Sequence, residues 1–128
     1  DNMPEWEVNE GLNAREWGPP RFWIQAGLHD PDIVLARFDY AYDGEAAESA
    51  ESLGLEPSEL LTVIDANETA IETAGMVLHS YTAPGEGHGL FEFADFNQLK
   101  VNGTRLVDWL DDLINGKTPD DIHCDNCE

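Results

Sequence analysis

The residue best placed for acid–base chemistry is His88, the one of four histidines that sits in a glycine-flanked loop, Ala83-Pro84-Gly85-Glu86-Gly87-His88-Gly89. An imidazole that carries a proton to and from a substrate needs freedom of placement and little steric cover, and neighbouring glycines let the backbone turn sharply enough to supply both. Its natural companion is a carboxylate. An acid on one ring nitrogen fixes the tautomer and stabilises the cation formed when the other nitrogen takes a proton. Asp43, a few residues beyond a strand-like run, has that position; Asp39, inside the run, is the competing acid with less freedom to reach across.

The chain offers no matching nucleophile. It has no G-x-S-x-G turn, and Gly85-Glu86-Gly87-His88-Gly89 carries glutamate, glycine and histidine where such an elbow needs a central serine. Ser49, Ser52 and Ser58 fall in helical or capping contexts, and Ser80 lies within a strand candidate. Dinucleotide and phosphate-loop fingerprints are absent, so no cofactor is expected. Asp39, Asp43 and Glu45 are too few for a calcium loop, and Asp30-Pro31-Asp32 is broken by its proline. His123-Cys124-Asp125-Asn126-Cys127 is half of a zinc ribbon, so no metal is expected there; the two cysteines read as bridging to cysteines elsewhere in a longer precursor, in an oxidising compartment. Asn67-Glu68-Thr69 and Asn102-Gly103-Thr104 match the glycosylation acceptor pattern.

The elements that must position these groups follow from periodicity and punctuation. Residues 1–32 are rich in Trp, Pro and Gly and read as a loop or excursion over a core, with a short strand at Arg21 to Gln25. Ile33 to Tyr40 is a compact apolar run between Asp-Pro-Asp and Asp-Gly, which predicts a buried strand. Gly44 to Gly54 is dense in Ala and Glu and predicts a short helix ending at Gly54. Pro57 opens a second helix, with Leu60, Leu61, Ile64 and Ile71 on one face and a stop near Gly75. Met76 to Tyr81 is the second strand, with the His88 loop beyond its carboxyl end. Leu106, Val107, Leu110, Leu113 and Ile114 make the clearest amphipathic helix, with Thr104 as N-cap and Gly116 as C′.

Strand, helices, strand, helix is the order of an α/β architecture with a parallel sheet. Two strands are few against the usual five or six, so the chain reads as part of a larger α/β domain spanning residues 33–128. In such sheets functional groups gather beyond the carboxyl ends of the strands, where both Asp43 and His88 fall.

Among 128 residues, 27 are acidic and 6 basic, a net charge of −21, with 41% hydrophobic residues to build a core. A polyanion of this density is repelled by phosphate backbones and anionic lipid, so neither nucleic acid nor a membrane surface is an expected partner. The acids are spread along the whole chain, as in a surface kept soluble in high salt. No run approaches the roughly 18 apolar residues that a membrane span needs. The chain opens at Asp1 without Met and reads as a processed product or a fragment.

The stretch His79-Ser80-Tyr81-Thr82-Ala83-Pro84-Gly85-Glu86-Gly87-His88, with Val101-Asn102-Gly103-Thr104-Arg105-Leu106-Val107-Asp108-Trp109-Leu110 after an apolar loop and an Asp-rich Cys tail, resembles the C-terminal part of the pectinacetylesterase family. That family includes the Notum-type carboxylesterases. The resemblance covers residues 33–128 and is looser around the acid, where Gly44-Glu45-Ala46-Ala47 replaces the usual small polar or Gln positions. It implies an α/β-hydrolase fold and a Ser-Asp-His triad in that chain order. The triad histidine then maps onto His88 and the acid onto Tyr42-Asp43, with Asp39 still open.

On this reading the chain is the C-terminal half of a secreted serine esterase acting on an ester substrate, either acetyl groups of a polysaccharide or another short ester. The serine and oxyanion hole belong to a missing N-terminal half, and the fragment alone is inactive. The rival expectation is a non-catalytic acidic α/β binding module whose aromatic N-terminal region, Trp6, Trp17, Phe22 and Trp23, meets a carbohydrate or a partner; a purely structural domain is the third.

Overall fold

The computed structural model describes residues 4–89 and 94–128, so residues 90–93, which follow the His88 loop, and the opening residues 1–3 lie outside the described residues. The fold is mixed α/β, with a small parallel sheet of three strands flanked by helices. The chain divides into two compact units, one made of the chain up to Leu35 with Asp65–Leu78, the other of Ala36–Ile64 with His79–Glu128.

In the first unit, short 3-10 turns at Glu7–Asn9 and Ala14–Glu16 precede helix α1, Pro19–His29. The strand expected at Arg21 to Gln25 is therefore helix. Pro19 and Pro20 occupy the first turn, where a missing N–H costs nothing and the fixed φ is already helical. Trp23, Ile24 and Ala26 then share contacts with Leu35, Ile71 and Leu78, and that packing overrides the strand preference of Phe22-Trp23-Ile24. The Gln25 amide, buried, donates to the Val8 carbonyl and to Asn9 Oδ1, tying α1 to the preceding turn.

Strand β1, Leu35–Tyr40, falls within the expected run, but Ile33 and Val34 precede it and are exposed and only Leu35 of the strand is buried; helix α2, Gly44–Glu51, starts as expected and ends before Gly54. Helix α3, Leu60–Thr73, follows a 3-10 turn at Pro57–Glu59. Strand β2 is Leu78–Ala83. Beyond the histidine loop the chain forms a tight hairpin, β3 at Lys100–Val101 and β4 at Thr104–Arg105, then helix α4, Leu106–Ile114, and a short strand β5, Ile122–His123. The sheet order is β1-β2-β5, with β5 parallel to β2 and Tyr81 opposite Ile122.

Thr104 is not the N-cap of α4. Asn102 and Gly103, at φ 47° and 90°, form the left-handed two-residue turn of a hairpin, and this commits Thr104 to β4. Arg105 takes the cap position without a side-chain bond, and the Leu106 N–H donates to the Leu99 carbonyl instead. At the other end Gly116 serves as expected. The Gly116 N–H donates to Leu113 and the Lys117 N–H to Asp112, the paired bonds of a Schellman motif.

The core of the second unit is built around Tyr81 and Trp109, with Leu106, Leu113, Val101 and Ala83. Tyr81 also pins the hairpin, its hydroxyl donating to the Thr104 carbonyl at 2.7 Å and accepting from the Val101 N–H at 3.0 Å. No helix among the described residues is long and apolar enough to cross a membrane.

Candidate active site

Asp43 follows the end of β1 and caps α2, its Oδ1 accepting the Ala46 N–H at 2.9 Å. An aspartate here satisfies an orphan donor of the first turn and faces the positive end of the helix dipole, so the local fold fixes the carboxylate before any partner arrives.

His88 reaches the same place from β2. The loop that carries it is tied to the end of β1 along its length. The Ala41 N–H donates to the Ala83 carbonyl at 2.8 Å, Tyr42 to Gly85 at 3.0 Å, and Gly44 to Glu86 at 3.3 Å. Gly87 lies so close to the Tyr40 ring that a Cβ there would stand 2.8 Å from two ring carbons.

These constraints bring the two side chains together across 45 residues of sequence. His88 Nδ1 stands 2.9 Å from Asp43 Oδ1 and 2.8 Å from Oδ2. A carboxylate accepts only, so the proton of this contact resides on Nδ1. The other ring nitrogen, Nε2, faces Glu45 Oε2 at 3.2 Å, and with Glu45 74% exposed this second contact is screened by solvent. Asp43 is mostly covered, at 18%, and the imidazole half open, at 47%.

Asp39 goes elsewhere. It lies in β1 and pairs with the Arg37 guanidinium, which also donates to the Ile64 carbonyl. An open cavity of about 490 Å³, lined by Tyr42, Gly44, Ala47, Glu48, Glu51 and Glu86 among others, adjoins the residues on either side of the pair. Ser49 lies in α2, Ser58 in the 3-10 turn before α3, and Ser80 in β2.

The cysteine expectation is corrected. Cys124 and Cys127 are bonded to each other, not to cysteines elsewhere. β5 aligns the segment along β2, and the following turn folds both sulfurs onto the core of the second unit. With both sulfurs committed to the bond, no thiolate is left to join His123 around a metal ion. Sequence reasoning also missed the part played by Asn102. Its amide donates to the His123 carbonyl, which ties the hairpin to β5. The Asn-Gly pair was the available signal, since that dipeptide between apolar residues marks a hairpin turn as readily as a glycosylation acceptor.

Comparison of the chain with protein-family models, curated proteins and solved structures finds no match.

Proposed function

We propose that this chain is the C-terminal half of a serine carboxylic-ester hydrolase of the pectinacetylesterase type and supplies the base and the acid of its triad. One observation carries the reading: the Asp43 carboxylate holds Nδ1 of His88 at 2.8 Å, with each residue delivered by the carboxyl end of one of two parallel strands.

The mechanism follows from that contact. With Nδ1 donating to Asp43, Nε2 becomes the base once it is released from Glu45, a 3.2 Å contact that is exposed and open to competition by a serine hydroxyl. His88 takes the serine proton as the acyl bond forms and returns it to the leaving alcohol. Asp43 keeps the tautomer and stabilises the imidazolium in between. The serine and the oxyanion donors come from the N-terminal half, which extends the sheet beside its present three strands. The acyl group is acetyl on a polysaccharide or another short ester, and the acidic surface fits an extracytoplasmic, high-salt setting. No nucleic acid takes part.

The rival binding-module reading is weaker. Two of its aromatic residues are taken up by other rings, Trp6 stacking on His29 at 4.2 Å and Trp17 meeting Phe22 at 4.9 Å, and Phe22 alone of the four is exposed as a large apolar side chain.

The test is hydrolysis of p-nitrophenyl acetate by the full product of the gene, beside its His88→Ala and Ser→Ala variants. Loss of the rate in a folded His88→Ala protein supports the triad. An unchanged rate, or a gene with no serine-bearing region ahead of this chain, overturns it.

A further inference from the structure

We propose that the Cys124–Cys127 disulfide is a positioning device for His88, holding the histidine loop against the acid through the carbonyl of Cys127. The proposal rests on the esterase reading for the roles of His88 and Asp43, and it concerns how their contact is kept.

Gly85 is the junction. It lies three residues before His88, its carbonyl accepts the N–H of Tyr42, the neighbour of Asp43, and its own N–H donates to the Cys127 carbonyl at 3.0 Å. The acid's backbone, the base's loop and the C-terminal segment are thus joined at one residue. The Cys127 bond holds Gly85 from the side away from the acid, and its loss leaves the loop on its bonds to Ala41, Tyr42 and Gly44 alone.

The Cys127 carbonyl is held by no strand or helix, because residues 124–127 form none, and Asp125 and Asn126 between the cysteines are exposed. The sulfur bond ties it back. It joins Cys127 to Cys124, whose N–H donates to the Thr82 carbonyl at 3.1 Å and whose side chain is buried with that of Cys127 in the core around Tyr81 and Trp109. The path therefore runs from β2 through Cys124, across the disulfide to Cys127, and back to Gly85 beyond the end of the same strand. With the bond open, Cys127 keeps no covalent tie nearer than the exposed turn, and its carbonyl loses its fixed place. The turn at Asp125 and Asn126 is exposed, and exposed segments open locally at low cost, so the Gly85 bond opens with this one once the sulfurs part.

The experiment uses the chain itself and needs no substrate. The disulfide is reduced with an excess of a dithiol, which delivers two electrons and two protons to the sulfur pair and closes to its own cyclic disulfide. Two quantities are followed by NMR: the titration midpoint of His88, and amide hydrogen exchange at Gly85 and along Leu106–Ile114. The Cys124→Ser/Cys127→Ser double variant repeats the measurement without reductant. The expected result is that the His88 midpoint moves to the value seen in Asp43→Asn, and that Gly85 loses protection while α4 keeps it. Reoxidation of the wild type restores both.

An unmoved midpoint with the bond open overturns the proposal. So does loss of protection in α4 together with Gly85, because the sulfur pair would then be holding the whole unit and not the loop. These outcomes are separate from the fate of the esterase reading. A gene product without esterase activity whose His88 midpoint still follows the disulfide would sink the esterase reading and leave the clamp standing.

Discussion

The two compact units invest their apolar residues differently. The unit of α1 and the C-terminal part of α3 buries Leu35, Ile71 and Leu78 as one small cluster and leaves Phe22, Leu28, Ile33, Val34 and Val77 facing solvent, where the other unit leaves Leu53 and Ile114. The unit holding the Asp43–His88 pair gathers Tyr81, Trp109, Leu106, Leu113 and the disulfide into a larger cluster, with hydrogen bonds threaded through it. Acid–base geometry tolerates errors of only about half an ångström, so a site of this kind belongs over the better-connected core. The smaller unit contributes burial and no comparable constellation among its described residues.

The sharpest way to break this contrast is to remove one large side chain from each unit. Trp109→Ala takes away the most voluminous fully buried side chain and the indole bond to the Asp120 carbonyl, and should cost about 3–5 kcal/mol. Ile71→Ala, in the small cluster of the other unit, should cost less, about 2–3 kcal/mol. Urea denaturation followed by near-ultraviolet circular dichroism measures both. Equal costs would show that the larger cluster is not what stabilises the chain.

A subtler probe of the same core is Tyr81→Phe. It strips the buried Val101 N–H of its acceptor, at a cost of about 1–3 kcal/mol. Burial pushes the Tyr81 phenol above its ordinary value, with the Val101 bond pulling the other way. Because the folded value is the higher one, this contribution is complete below the unfolded value of about 10 and is lost as pH rises through the folded value. The wild type should therefore lose stability at high pH more steeply than Tyr81→Phe, which thermal melts across the alkaline range would reveal. Parallel curves would mean that the phenol does not govern alkaline unfolding.

The loop can be pushed off the core without touching either member of the pair. Gly87→Ala places a methyl against the Tyr40 ring and should cost about 1–3 kcal/mol, with His88 displaced from Asp43. The His88 resonance measures the displacement. If it titrates as in the wild type, the loop has more slack than its backbone bonds imply.

Much of this arrangement was legible in the sequence, for identifiable reasons. The runs 33–40 and 76–81 are compact and apolar, the stripe from Leu106 to Ile114 is strongly periodic, and glycines follow the helices at Gly54, Gly75 and Gly116, all of which have positive φ. Asp43 and His88 could be singled out because strand ends in parallel sheets converge, and the described structure brings them together. What the sequence hid depended on tertiary contacts. Helix α1 exists because Trp23 and Ile24 find Leu35, Ile71 and Leu78; β5 is two residues long and is a strand only beside β2; the disulfide closes within its own motif because that strand brings the segment back to the core. Thr104 was lost to a turn already written as Asn-Gly.

The smallest expected effect on stability separates the two roles of one residue. Asp43 caps α2 and also holds His88, and an asparagine caps a helix about as well as an aspartate does. Asp43→Asn should therefore cost at most about 1 kcal/mol, the share of the lost charge at the helix N-terminus. Its neutral amide no longer favours the imidazolium, so the His88 titration should move to lower pH, and under the proposed esterase reading the full gene product should lose hydrolysis of p-nitrophenyl acetate. Asp39→Asn provides the opposite case. It takes the carboxylate from Arg37 within β1 and disturbs the strand, while His88 keeps its partner and its titration. If instead His88 responds to Asp39 and ignores Asp43, then the carboxylate 2.8 Å from its Nδ1 is a helix cap that happens to lie close, and the acid of the triad is the other aspartate.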